Sequence, residues 1–299
     1  MTSQREFTCL WCGRPYRTRA DSDLEGYALL CPDCVGRAGD NEFLPYRLKE
    51  GLRLRGEAER GGSVATAIAP ARTADEELKT YYAARAREYD DWFLRKGRYS
   101  RGAIADAAWA ADLDQATLWL DAQPLSGEIV ELAAGTGWWS PLLASKASTL
   151  WLYDINEEPL DLAVKRLVAH GLKAHIHARD AWAEPDRQVD GLFMGFWLSH
   201  VPRARLADFL ALCRRWLKPG GRLAFIDSRR DRESSATDHP EPANDLSVRK
   251  LDDGREFTIV KVYWEPDELE AALLAAGFAS AKVTTTPRFF LMGEAIADA

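Results

Sequence analysis

The chain has 299 residues, 46% hydrophobic and 28% charged, with a formal net charge of -7 at pH 7. That composition belongs to a globular protein and excludes a fibrous or disordered one. The acidic balance argues against a general affinity for nucleic acid, whose phosphates demand clustered Lys and Arg.

The longest apolar runs fall well short of the roughly 20 residues that a spanning helix needs, and the first residues are polar, without the apolar stretch of a signal peptide. No membrane association is expected, and a cytoplasmic location follows. The length suits one large domain with a small accessory unit.

Taken in chain order, the first feature is a cysteine array. Cys9-Leu-Trp-Cys12 and Cys31-Pro-Asp-Cys34 are two C-x2-C pairs separated by eighteen residues, the spacing of a zinc ribbon. Structural disulfides do not suit a cytosolic chain, so Cys9, Cys12, Cys31 and Cys34 are expected to hold one structural Zn2+ in a module over residues 1–55. Residues 1–60 carry ten Lys plus Arg and ten Asp plus Glu, so this module has no basic surplus. The fifth cysteine, Cys213, lies on an apolar helical stretch and is expected in the core.

Residues 56–74 turn to Gly, Ala, Ser, Thr and Arg without apolar periodicity and read as a linker to a second domain over residues 75–299. Leu78, Tyr81, Tyr82, Arg85, Tyr89, Trp92 and Phe93 recur at helical spacing and predict one amphipathic helix over residues 75–96. A second helix is expected over 103–120, completing a helical segment 75–125 ahead of a core over 126–299. There, strand candidates at 128–133, 149–154, 173–177, 189–196, 222–227, 257–264 and 281–290 are separated by helical candidates at 138–146, 157–170, 203–217 and 266–276. This alternation predicts an α/β fold, a mostly parallel seven-stranded sheet with helices on both faces, whose last two strands suit an antiparallel edge.

The chemistry concentrates in Ile129-Val-Glu-Leu-Ala-Ala-Gly-Thr-Gly137, a strand running into small residues and then a helix, where glycines let the backbone approach a ligand. Seventeen residues after Gly137, Asp154 ends the next apolar run, where a carboxylate can accept hydrogen bonds from a ribose diol. This much fits any nucleoside-containing cofactor, including that of a dinucleotide-binding dehydrogenase.

From residue 75 to 299 the chain resembles the class I, Rossmann-like S-adenosylmethionine (SAM) dependent methyltransferases. Glu131-x-Ala133-x-Gly135-x-Gly137 is similar to the family's E-x-G-x-G-x-G, with Ala133 in place of the first glycine. Asp154 matches the ribose-binding acid and Asp180, in Ala178-Arg-Asp-Ala-Trp182, the acid facing the adenine amino group. Gly195-Phe-Trp-Leu-Ser-His-Val-Pro202 and Leu217-Lys-Pro-Gly-Gly-Arg-Leu-Ala224 stand at two further family positions. The resemblance implies a doubly wound sheet and SAM as cofactor. It implies that Gly135, Thr136 and Gly137 line the methionine part, that Trp182 flanks the adenine, and that Ile155 and Ala181 also bind the cofactor. Phe196 would form the floor, with Tyr82 and Tyr89 over the sulfonium.

His200 after the fourth strand is the foremost candidate base, and Tyr263 a second catalytic candidate. The insertion 228–255 is expected to form a lid, where Arg249 and Lys250 either meet an acidic group or are simply solvated. No (Asn/Asp)-Pro-Pro-(Tyr/Phe) sequence follows strand four, which disfavours planar adenine or glutamine nitrogens as acceptors and leaves oxygen, amine nitrogen and carbon. The leading reading is a methyltransferase acting on a small molecule, including natural-product tailoring, whose zinc module walls the pocket or mediates self-association into a homo-oligomer. An rRNA or tRNA methyltransferase that grips RNA with the zinc module, and a SAM-binding scaffold without catalysis, are the alternatives.

Overall fold

The computed structural model describes residues 4–8, 15–19, 74–240 and 245–298. The chain divides into two compact units, residues 1–71 and 72–299. In the first, strands β1 (Gln4–Thr8) and β2 (Pro15–Arg19) pair antiparallel, from Gln4 opposite Arg19 to Thr8 opposite Pro15. Cys9, Cys12, Cys31 and Cys34 lie outside the described residues. Among the described residues no cluster of three or more His, Cys, Asp or Glu is placed to hold a metal.

The second unit opens with helix α1 (Ala74–Arg85), a 3-10 turn (Ala86–Glu88) and helix α2 (Tyr89–Phe93), where the periodicity predicts a single helix. Arg95, at φ 53°, turns the chain into the left-handed region just beyond α2 and ends it short of residue 96. Helix α3 (Ala103–Ala122) follows. Five parallel strands come next: β3 (Gly127–Leu132), β4 (Ala147–Asp154), β5 (His175–Ala178), β6 (Val189–Gly195) and β7 (Leu217–Ser228). Helices α4 (Ser140–Lys146), α5 (Glu157–Ala169) and α6 (Leu206–Trp216) connect them.

The C-terminal part departs from expectation in two places. Residues 257–264 supply no strand to the large sheet: β9 (Glu256–Val260) pairs only with β8 (Leu246–Lys250) of the insertion, as a separate antiparallel hairpin. The interval 281–290 is instead a hairpin of two strands, β10 (Phe278–Thr285) and β11 (Phe290–Ala297), after helix α7 (Pro266–Ala275). Pro287 sits in its turn, and the buried Asp112 carboxylate on α3 secures it by accepting from Thr286 Oγ1 (2.6 Å), Arg288 N (2.9 Å) and Phe289 N (2.8 Å). The sheet therefore has the expected seven strands, in the order β10-β11-β7-β6-β3-β4-β5, with β11 antiparallel to β7.

Successive residues of a strand point to opposite faces, and the central strands use both. Ile129, Leu150, Phe193 and Ile226 pack under α3, α4 and α5. Val130, Leu192, Met194 and Phe225 pack against α6 and α7. Each fully buried large apolar side chain contributes about 1.5–3 kcal/mol of transfer free energy. Gly293 leaves room for its neighbour across the β7–β11 pair: a Cβ there would lie 2.1 Å from the Phe225 ring. Cys213 is fully buried on α6 with its thiol pKa pushed up by burial, as its apolar helical context predicts. Among the described residues no helix is long and apolar enough to cross a membrane.

Candidate active site

In a doubly wound sheet, ligands bind beyond the carboxyl ends of the strands, and a cavity of about 280 Å3 lies there. Its floor is the turn after β3. Ala133, Gly135 and Gly137 have φ of 50°, 55° and 71°. For Ala133 that left-handed conformation costs about 1–2 kcal/mol, which gives a physical reason for the glycine that the resembling family carries at this position. A Cβ on Gly137 would lie 2.7 Å from that of Ala163, so this glycine lets α5 close onto the turn. Gly135 has nothing within 4 Å of its missing Cβ, and its bare backbone faces the cavity.

Asp154 closes β4 at the cavity wall. Its carboxylate accepts from the amides of Gly135 (Oδ2, 2.9 Å) and Asn156 (Oδ1, 2.9 Å). Burial pushes its pKa up to about 6, against the pull of these amides. Each oxygen accepts one of these amides, leaving lone pairs for further hydroxyl donors. Ile155 and Asn156 continue the wall.

Beyond β5, Asp180 accepts from the Trp182 amide (Oδ1, 3.0 Å) and pairs with Lys79 of α1 (Oδ2, 2.8 Å). Ala181 and Trp182 line the same end, where the Arg205 guanidinium lies 3.7 Å from the centre of the indole ring. Phe196, held at φ 59° by the bond from its amide to Ile226 O (2.7 Å), lies opposite. Tyr82 of α1 and Tyr89 of α2 roof the cavity, and the Arg85 guanidinium is 4.6 Å from the Tyr89 ring centre.

Two residues of the glycine-rich motif do not line this cavity. Gly137 serves packing, and Glu131 is buried beneath α4, accepting from Ser140 Oγ at 2.5 Å. Burial pushes the Glu131 pKa up to about 8. Thr136 does line the cavity, but its hydroxyl donates to Asp90 Oδ1 (2.7 Å).

His200 stands between this cavity and a second, smaller one of about 40 Å3, and Tyr82, Tyr89 and Phe196 are shared with it. A carbonyl only accepts, so Nδ1 of His200 donates to Val260 O (2.7 Å) and Nε2 accepts from the Tyr82 hydroxyl (2.8 Å). Burial, then the charges of Lys261, Arg249 and Arg85, hold its pKa well below the usual histidine value. His200 is therefore a neutral imidazole whose lone pair is already engaged. Tyr263 lines only the smaller cavity, under the Arg230 guanidinium 4.9 Å from its ring centre.

Sequence reasoning passed over Lys79, Asn156 and Lys261. The signal for Lys261 was present: a lone cation inside the apolar run Phe257-Thr-Ile-Val-Lys-Val262. The same holds for Arg85, on the otherwise apolar stripe of α1.

A family described as a methyltransferase domain matches residues 129–221. The structure of DhpI in complex with SAH is 33% identical, at a TM-score of 0.59, covering 75% of this chain and 96% of that one. Its complex with SAM and HEP is 32% identical, at the same TM-score, covering 74% and 97%. Among curated proteins, a demethylmenaquinone methyltransferase of Clavibacter sepedonicus is 36% identical over 109 residues, 35% of this chain and 42% of that protein. A ubiquinone/menaquinone biosynthesis C-methyltransferase of Bordetella avium is 32% identical over 108 residues, 34% of this chain and 41% of that protein. The chain thus spans less than half the length of the curated relatives it matches.

Proposed function

The chain belongs to the class I SAM-dependent methyltransferases, and on that premise we propose that the larger cavity takes SAM and the smaller one a small-molecule methyl acceptor. The observation that supports this division is the shared wall: Tyr82, Tyr89, Phe196 and His200 border both cavities, so a group passed from one to the other crosses between them. The donor set of the larger cavity fits SAM. Asp154 offers lone pairs to a ribose diol, the bare backbone at Gly135 admits close approach, and Asp180 offers a carboxylate oxygen to an exocyclic amine. SAM supplies a methyl group already activated on a sulfonium sulfur. The residues of this chain then have to orient the acceptor, exclude water and keep the two partners in line.

The roof of aromatic rings excludes water, and the chain of bonds from Val260 O through His200 to Tyr82 fixes the Tyr82 hydroxyl at the boundary. On this reading His200 positions Tyr82 instead of removing a proton. The test is a calorimetric titration of the full chain with S-adenosylhomocysteine, followed by transfer of labelled methyl from SAM to a small-metabolite extract and to total RNA. Binding with label in metabolites is the expected result; label in RNA, or no binding, overturns it.

The N-terminal unit is proposed to hold one structural Zn2+ on Cys9, Cys12, Cys31 and Cys34. Two C-x2-C thiolate pairs fit a tetrahedral Zn2+. Metal analysis of the purified chain is expected to find about one zinc per chain, lost on combined Cys9→Ser and Cys12→Ser; a wild-type chain free of zinc would refute the assignment.

A further inference from the structure

The smaller cavity carries a charge pattern that the methyl-transfer reading does not require. Three cations line it: Arg85 from α1, Arg249 from β8 and Lys261 just after β9. All are buried, at 7%, 8% and 7% relative exposure. No Asp or Glu is among the described residues that line it. Among the described residues neither Arg85 nor Arg249 forms an ion pair. Arg85 is surrounded by the rings of Tyr81, Tyr82, Tyr89 and Tyr99, with a buried Nε that has no hydrogen-bond partner. Arg249 reaches only His239 Nδ1, at 3.5 Å. Lys261 donates to Ser199 Oγ (2.8 Å) and Ser228 Oγ (3.1 Å), and its nearest carboxylate oxygen, on Asp227, is 3.8 Å away.

Buried cations are costly unless paired, and three around one space oppose each other. Their mutual field is visible in their neighbours: burial first, then Arg249 and other nearby cations, depress the His239 pKa to about 3, and burial with Arg249 and Arg85 lowers that of Lys261 to about 8. A chain with net charge -7 has no shortage of carboxylates to neutralise them. That none stands among the described lining residues leaves the neutralising group to arrive with the ligand.

We infer that the methyl acceptor is an oxyanion-bearing small molecule, whose phosphate-like or carboxylate group is held in the smaller cavity by Arg85, Arg249 and Lys261. The volume suits this. A cavity of about 40 Å3 holds a few waters, each needing roughly 10–15 Å3 on the same measure, or one compact anionic group. Ser228, Ser234 and Ser235 add hydroxyls to the same walls. This inference rests on the proposed division of the two cavities and specifies what the second one takes.

The experiment uses the full chain, first saturated with S-adenosylhomocysteine, with inorganic phosphate and acetate as probes and sodium chloride at equal ionic strength as the control. Phosphate or acetate is expected to raise the thermal midpoint above the chloride control. Arg249→Gln is expected to weaken that effect about tenfold or more, the scale of losing a charged hydrogen bond. In the absence of probe, Arg249→Gln is expected to be at least as stable as wild type, because it removes an uncompensated buried charge. If Arg249→Gln fails to fold, the cation is structural and its assignment to the ligand is wrong; Lys261→Met then tests the other arm, a retained phosphate and acetate response overturning the inference. Equal shifts with both probes and chloride overturn it too. Absence of S-adenosylhomocysteine binding in the first step is a separate failure, that of the cofactor cavity, and the probes are then read on the unloaded chain.

Discussion

Asp154→Ala is expected to weaken S-adenosylhomocysteine binding by at least about a hundredfold, because two hydrogen bonds from a ribose diol to a charged acceptor contribute about 1.5–3 kcal/mol each. The substitution also strands the amides of Gly135 and Asn156, which now donate to this carboxylate. Loss of fold and loss of site are therefore separated with Asp154→Asn, which keeps the shape and one acceptor oxygen and should lose about tenfold, with both variants checked for cooperative unfolding.

The same residue gives the binding a pH dependence of fixed sign. The Asp154 pKa is raised to about 6, and only the deprotonated form accepts two hydroxyls. Affinity should be flat above pH 7 and fall about tenfold between pH 7 and pH 5. Isothermal titration at three pH values decides it. Unaltered affinity in the alanine variant would remove Asp154 from the cofactor site and with it the assignment of the β4 end.

Glu131 supplies the largest expected effect on stability. Its carboxyl is buried beneath α4, and burial, with the charge of Asp154 adding to it, raises the pKa to about 8. A raised carboxyl keeps its proton in the folded state when the unfolded chain has lost it. Folding stability is then fully present below the unfolded value near 4.5 and is lost as pH rises through the folded value. Between pH 6 and pH 9 the wild type should lose about 3 kcal/mol more than Glu131→Gln, whose amide keeps the volume, accepts from Ser140 and does not titrate. Urea unfolding of both chains at the two pH values measures the difference. A constant difference would mean that Glu131 is already charged in the folded protein.

The parallel half of the fold was legible because β3, β4, β6 and β7 carry apolar residues on both faces and are separated by helices with their own period. The C-terminal half was less so. Residues 257–264 are as apolar as a central strand, yet β9 spends its hydrogen bonds on β8, and nothing in the alternation of side chains says which strand will be the partner. In 281–290 the break was written as Pro287, between two runs that read as one when the proline is passed over. Of the site, the positions after β3, β4 and β5 were readable because they are contiguous motifs. Arg85, Arg249 and Lys261 come from three separate elements, and a cluster of that kind exists only once the chain has folded.

The two cavities differ in where the chain writes them. Apart from Phe196 and His200, every side chain of the smaller cavity comes from residues 81–99 or 228–263, outside the interval 129–221 that matches the methyltransferase domain. On the proposed division, the cofactor half rests mainly on the ends of the sheet strands and the acceptor half on elements at its margins. Kinship in the middle of the chain is therefore silent about the substrate. On that division, editing a helix and a hairpin would re-specify the acceptor while the sheet goes on unchanged.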